Sequence, residues 1–158
     1  RNGKRFLRAL VESNVSGQLK IAPEHASPTV LRAMRKYPVT VFKEFTRQYF
    51  LEAKSQGKDI YLVPYLIVAH PGESEEENRE LRSFIRTELE FHPKQIQIFT
   101  PTPSTLSTTV YYTGFDPWSK EPVFSEKSLT NRNRMKDRIL NIREVKAKHG
   151  DYESACEE

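Results

Sequence analysis

The chain has 158 residues, 37% of them hydrophobic and 29% charged, with a formal net charge of +4. That composition excludes a disordered polymer and suits one soluble domain with enough apolar material for a core. No apolar run reaches the roughly 18 residues of a membrane span, and the single cysteine, Cys156, provides neither a disulfide framework nor a cysteine metal cluster, so we expect a reducing, cytoplasmic setting and no membrane partner.

The first residues, "RNGKRFLRALVESN", lack an initiator Met and read as the middle of a helix, with Phe6, Leu7, Leu10 and Val11 on one face; the expectation is a piece cut from a longer protein. Gly17 then breaks the helix, and Leu19 and Ile21 lead a short strand into Pro23. Ser27 and Pro28 start a helix over "TVLRAMRK" that carries Leu31 and Met34 inward. A second helix over 41–54 spaces Phe42, Phe45, Tyr49 and Ala53 on one side before Gly57 ends it. Residues 60–69, "IYLVPYLIVA", are apolar almost throughout and read as a strand covered on both faces, although Pro64 favours an edge or a bulge. Ser74 and Glu77 form a capping box for a helix to about residue 90, with Leu81, Phe84, Ile85 and Leu89 buried. A third strand, "QIQIFT", ends at Pro101.

Alternating strands and helices indicate parallel βα units. The strands begin near Gln18, Ile60 and Gln95, the spacing of barrel repeats, yet three strands cannot close an eight-stranded barrel. The expected fold is therefore α/β, a partial TIM-like (β/α) barrel represented by its C-terminal half. We divide the chain into that half barrel (1–100), a helix-poor, aromatic-rich excursion with a turn at "DPWSKE" (101–127), a basic C-terminal helix (128–150) with Met135, Ile139, Ile142 and Val145 as its apolar stripe, and a disordered tail (151–158).

Parallel α/β folds bind ligands beyond the carboxyl ends of their strands. Here those positions are Glu24-His25, then 70–73, then 100–102. Pro23 stiffens the chain before Glu24, whose carboxylate can accept hydrogen bonds from vicinal hydroxyls. The alternative is a solvated turn. Pro71 and Gly72 after His70 allow close backbone approach to a flat ligand, whereas Ser74, Glu75 and Glu77 are explained by helix starting alone. Thr100 offers a hydroxyl at the third strand end, with a stiff exit turn as its alternative.

The segments "KIAPEHASPTVLRAMRK" and "IVAHPGESEEE" resemble consecutive units of radical S-adenosylmethionine enzymes. "LKIAPEH", "YLIVAHPG", "FTPTPSTLSTTVYYTG" and "DPWSKEPVF" together look like the YgiQ family of that superfamily, over residues 15–140 in the same order. The resemblance implies that three cysteines of a C-x3-C-x2-C loop hold a [4Fe-4S] cluster which, with S-adenosylmethionine, generates a 5′-deoxyadenosyl radical that takes hydrogen from a substrate, here unidentified. That loop is absent from this chain, so the cluster belongs to the parent protein and the upstream half of the same polypeptide is the implied partner; alone the chain is expected to be inactive. By matching positions, the resemblance implies ribose contact at Glu24 with His25 beside it, adenine contact at Val68, Ala69 and His70, and backbone contact at Ile98 to Thr100.

Two other readings compete. The helix bearing Arg132, Arg134, Lys136, Arg138, Arg143, Lys146 and Lys148 could lie on RNA phosphates, with Tyr111, Tyr112 and Trp118 available for stacking. A solvated amphipathic helix and packed aromatics are the plainer account. Strand-end histidines and acids also suggest a metal-dependent hydrolase through His25 and His70, but no His-x-His or His-x-x-x-His spacing occurs, and His92 and His149 read as surface residues. A half barrel would further expose the inner sheet face and its edges, so the isolated chain is expected to self-associate.

Overall fold

The computed structural model describes residues 2–89, 93 and 96–141. Helix α1, Asn2–Ala9, runs into one π-helical turn, Leu10–Asn14, and Leu7 and Val11 enter the core. Phe6, expected on that face, is 65% exposed. Adjacent helical residues point about 100° apart, so once Leu7 and Val11 define the buried stripe Phe6 falls outside it. Strand β1, Gln18–Glu24, leads to α2, Pro28–Ala33, with Ser27 at the N-cap. Helix α2 buries Val30 and Leu31 but stops at Ala33, leaving Met34 half-buried in the following turn rather than on the inner face. Helix α3, Val39–Ser55, buries Phe42, Tyr49 and Ala53 and returns the chain to strand β2, Tyr61–Val68.

The strands pair in parallel in the order β1-β2-β3, where β3 is only Gln97–Ile98. The third strand is shorter than expected, and Gln95 lies outside the described residues. Central strand β2 tolerates Pro64 for a geometric reason. The Tyr61 N–H donates to the Gly17 carbonyl on the β1 side, so by alternation the missing N–H of Pro64 falls on the opposite side, before pairing with β3 begins at Ile67.

Burial alternates strictly along β2. Leu62, Pro64, Leu66 and Val68 are buried, whereas Tyr61 and Tyr65 are 63% and 51% exposed. This corrects the expectation of a strand covered on both faces. The apolar residues at odd positions instead form a sheet face, shared with Gln18, Lys20 and Ala22 of β1, that the described residues leave open. The core lies on the other face, where Leu7, Tyr49, Leu66, Leu81 and Ile139 join α1, α3, α4 and α6 to the sheet.

Helix α4, Glu75–Glu88, begins with the expected capping box: Ser74 Oγ accepts from the Glu76 N–H, and Glu77 Oε2 accepts from the Ser74 N–H at 2.8 Å. Residues 101–127 depart from expectation by containing a helix, α5, Leu106–Thr113, capped by Thr105 and closed by Gly114 at φ 74°. The turn at Asp116 does form. Its Oδ1 accepts from the N–H groups of Trp118 and Ser119, and Phe115 and Pro122 pair across it. Tyr111 is buried as expected, but Tyr112 and Trp118 are each 68% exposed. Trp118 packs under the Arg35 guanidinium, 4.7 Å from its ring, rather than under the segment. Helix α6, Leu129–Leu140, buries Met135 and Ile139. Ile142, Val145 and the tail at 151–158 lie outside the described residues. The architecture is thus α/β with an open parallel sheet, a partial β/α fold. No helix among the described residues is long and apolar enough to cross a membrane.

Candidate functional site

The sheet register gathers the expected positions at one edge. Glu24 pairs with Leu66, and Val68 pairs with Ile98, so the three strand exits lie side by side. The β1 exit is sharp. The His25 N–H donates to the Pro23 carbonyl at 2.9 Å and Glu24, between them, has φ 68°, which together make a γ-turn of the rare, strained hand. The Glu24 carboxylate is only 17% exposed and accepts from Lys36 Nζ at 3.1 Å; the same ammonium donates to the Ala22 carbonyl at 2.8 Å. Ala69 repeats the left-handed conformation at the β2 exit, with φ 58°.

Behind these exits lies a polar cluster with almost no solvent access. His25, Ser27, Glu73 and Asn78 are 0–1% exposed. His25 Nδ1 accepts from the Ser27 N–H at 2.9 Å, so the neutral ring carries its proton on Nε2, which faces Glu73 Oε1 at 3.5 Å. Glu73 Oε1 accepts from Asn78 Nδ2 at 2.9 Å, and that amide also reaches the Met135 carbonyl of α6 at 3.4 Å. His25 Nε2, Glu73 Oε2, Asn78 Oδ1 and Ser27 Oγ have no hydrogen-bond partner among the described residues, so the 3.5 Å approach of His25 Nε2 to Glu73 Oε1 is a contact between facing groups and not a made hydrogen bond.

His70 is held separately. Its Nδ1–H donates to the Pro71 carbonyl at 2.8 Å, which leaves Nε2 to accept from the Ser107 hydroxyl at 2.8 Å and ties α5 to the β2 exit. Its ring also meets Phe99 edge-on, with centroids 4.8 Å apart. Burial lowers its pKa to about 4, against a weaker opposing pull from the Pro71 carbonyl, so the ring is neutral at physiological pH. Gly72, at φ 91°, donates its N–H to the Phe124 carbonyl at 2.7 Å; a Cβ there would sit 3.5 Å from Ala33 Cβ and 3.7 Å from the Thr29 carbonyl of α2. Close approach is used here, but by α2 on that side of the turn.

The expected site residues therefore divide by access. Glu24 keeps partial access, Ile98 is half-buried, and Thr100 is exposed with its hydroxyl turned to the Ile98 carbonyl at 3.3 Å. His25, Val68, Ala69 and His70 are 3% exposed or less, so only backbone or a rearranged side chain of theirs could meet a ligand. Glu73 and Asn78 escaped sequence reasoning as a pair because they look like ordinary residues around a helix start. Their one signal is that Glu73 precedes the N-cap Ser74 and so has no capping task.

Arg132 donates to the Phe99 carbonyl and its guanidinium lies 5.9 Å from the Tyr111 ring centroid, while Arg138 pairs with Glu75. Two basic residues of α6 thus serve internal contacts, and Arg143, Lys146 and Lys148 lie outside the described residues. No group of three or more His, Cys, Asp or Glu side chains that could hold a metal ion occurs among the described residues.

No family model matches the chain. Individual relatives do. A protein of Thermotoga petrophila is 53% identical over 135 residues, 85% of this chain and 24% of its own length. One from Fusobacterium nucleatum is 38% identical over 141 residues, 89% of this chain and 25% of its own, and one from Clostridium perfringens is 45% identical over 123 residues, 78% and 18%. All three are named UPF0313 proteins. The similarity covers most of this chain, while the chain spans about a quarter or less of the relatives it matches.

Proposed function

We propose that the exits of β1, β2 and β3 form the adenosyl-binding side of a radical S-adenosylmethionine barrel, completed in the full-length protein by a half that carries the [4Fe-4S] cluster. The reading is supported above all by the register, which aligns Glu24, Ala69, Ile98 and Thr100 along one edge of a parallel sheet. Relatives about four times as long as the matched stretch are compatible with such a division.

The residues present suit an adenosine. The Glu24 carboxylate stands at a strand exit and, on exchanging Lys36 for ribose hydroxyls, would accept two hydrogen bonds. Ala69, its side chain buried, offers a backbone turned out of the strand by its positive φ. Ile98 gives apolar contact for a base, and the Thr100 hydroxyl is free to leave the Ile98 carbonyl. Buried Val68, His25 and His70 stiffen these positions from behind. S-adenosylmethionine on a reduced cluster supplies a carbon radical that removes hydrogen from substrate. With one cysteine in its sequence, this chain has too few thiols to hold such a cluster. Its own part would be to bind and orient the nucleoside.

Equilibrium binding of S-adenosylmethionine to the cluster-loaded full-length protein, with and without Glu24→Ala, tests the assignment. Losing both ribose hydrogen bonds should weaken binding by about tenfold or more. Equal affinity in the two proteins would remove Glu24 from the site, and no binding to either would end the proposal.

A further inference from the structure

We infer that Glu73 is a positioning residue, which acts through His25 to fix the strained γ-turn that presents Glu24 at the end of β1. The γ-turn itself is the starting observation. A non-glycine residue at φ 68° is unfavourable on its own, and such a conformation persists only where its surroundings over-determine it. Lys36 grips the turn from the solvent side, through the Ala22 carbonyl and the Glu24 carboxylate. From the buried side the turn is gripped by the His25 ring.

That ring is oriented by one hydrogen bond and one facing charge. Its Nδ1 is occupied by the Ser27 N–H, and its Nε2–H, cut off from water, has Glu73 Oε1 in front of it at 3.5 Å. Glu73 is itself anchored, because Asn78 donates to the same oxygen and also binds the Met135 carbonyl. A chain of contacts therefore runs from α6 through α4 to the exit of β1, and every side chain in it is fully buried. No capping or surface role accounts for a carboxylate at 0% exposure placed before the N-cap of α4. Glu73 reaches no position where a ligand on the open side could touch it, which makes it a support for Glu24 and not a contact.

Glu73→Gln in the full-length protein tests this, because the amide keeps the shape and an acceptor for Asn78 but removes the negative charge that faces the His25 Nε2–H. Hydrogen exchange read by mass spectrometry should quicken about tenfold at the amides of residues 24–27, while β2 amides at 62–66 keep their rates. His25→Asn, whose Oδ1 takes the place of Nδ1 as acceptor for the Ser27 N–H and whose shorter side chain abandons Glu73, should quicken the same peptide; the double variant should add little to either single change. Unchanged exchange at 24–27 in both single variants, or exchange that quickens uniformly over the sheet, would overturn the inference. The same variants should bind S-adenosylmethionine more weakly, an expectation that rests on the adenosyl-side reading. If the unmodified protein binds none, that reading fails and the exchange pattern alone decides the role of Glu73.

Discussion

Acidification should destabilise this fold through His70 specifically. The folded ring has its pKa lowered from 6.5 to about 4 by burial, so below pH 6.5 the unfolded chain takes up a proton that the folded one refuses. Stability is therefore greatest above about pH 6.5, falls as pH drops through the interval down to about 4, and loses nothing further from this group below that. With those two pKa values the loss relative to pH 7 is about 1.2 kcal/mol at pH 5.5 and about 3 kcal/mol at pH 4. Carboxylates titrate over part of the same range, so the assay is a comparison: urea unfolding of the chain and of His70→Phe at several pH values, at low protein concentration. Phenylalanine forfeits the Ser107 hydrogen bond at every pH, which offsets its curve without tilting it. The unmodified chain should lose about 3 kcal/mol more than the variant between pH 7 and pH 4. Parallel curves would refute the placement of a neutral, desolvated imidazole between Pro71 and Ser107.

Other consequences are simpler to measure. Leu81→Ala removes a fully buried side chain from the centre of α4 and should cost about 2 to 5 kcal/mol in chemical denaturation. Gly72→Ala forces a Cβ into a left-handed position that faces α2; a loss of about 1 kcal/mol or more is expected from the same experiment. The open sheet face, with Tyr61 and Tyr65 more than half exposed, should make the 158-residue chain self-associate. Light scattering across a concentration series should show its mass rising, and Tyr61→Lys with Tyr65→Lys should reduce the effect.

Much of the framework was legible because it rests on short-range signals. Gly17, Gly57 and the Ser74-Glu77 capping box punctuate the chain where the structure does, and the parallel crossovers follow from strands separated by helical stretches. Helix α5 was not legible. "LSTTVYYT" is rich in β-branched and aromatic residues that favour strands in isolation. It forms a helix because Thr105 caps it, the Ser107 hydroxyl meets His70, and Tyr111 packs near Phe99 with centroids 5.8 Å apart. The one-sided sheet was hidden for a related reason: tyrosine and valine suit a covered or an open strand face equally well, and only the neighbours decide. For the candidate site, the strand-exit rule named Glu24 and Thr100 and the family resemblance added Ala69 and Ile98; the register sets these four positions along one edge of the sheet. Neither could foresee that His25 and His70 turn inward, nor that Glu73 faces a histidine 48 positions earlier in the chain, because no local pattern encodes a tertiary contact.

The most direct test of the central claim is chemical. The full-length protein, reconstituted anaerobically with iron and sulfide and reduced in the presence of S-adenosylmethionine, should release 5′-deoxyadenosine, and Glu24→Ala should slow that release. A protein that takes up a [4Fe-4S] cluster yet yields no 5′-deoxyadenosine under reduction would contradict the assignment of these strand ends.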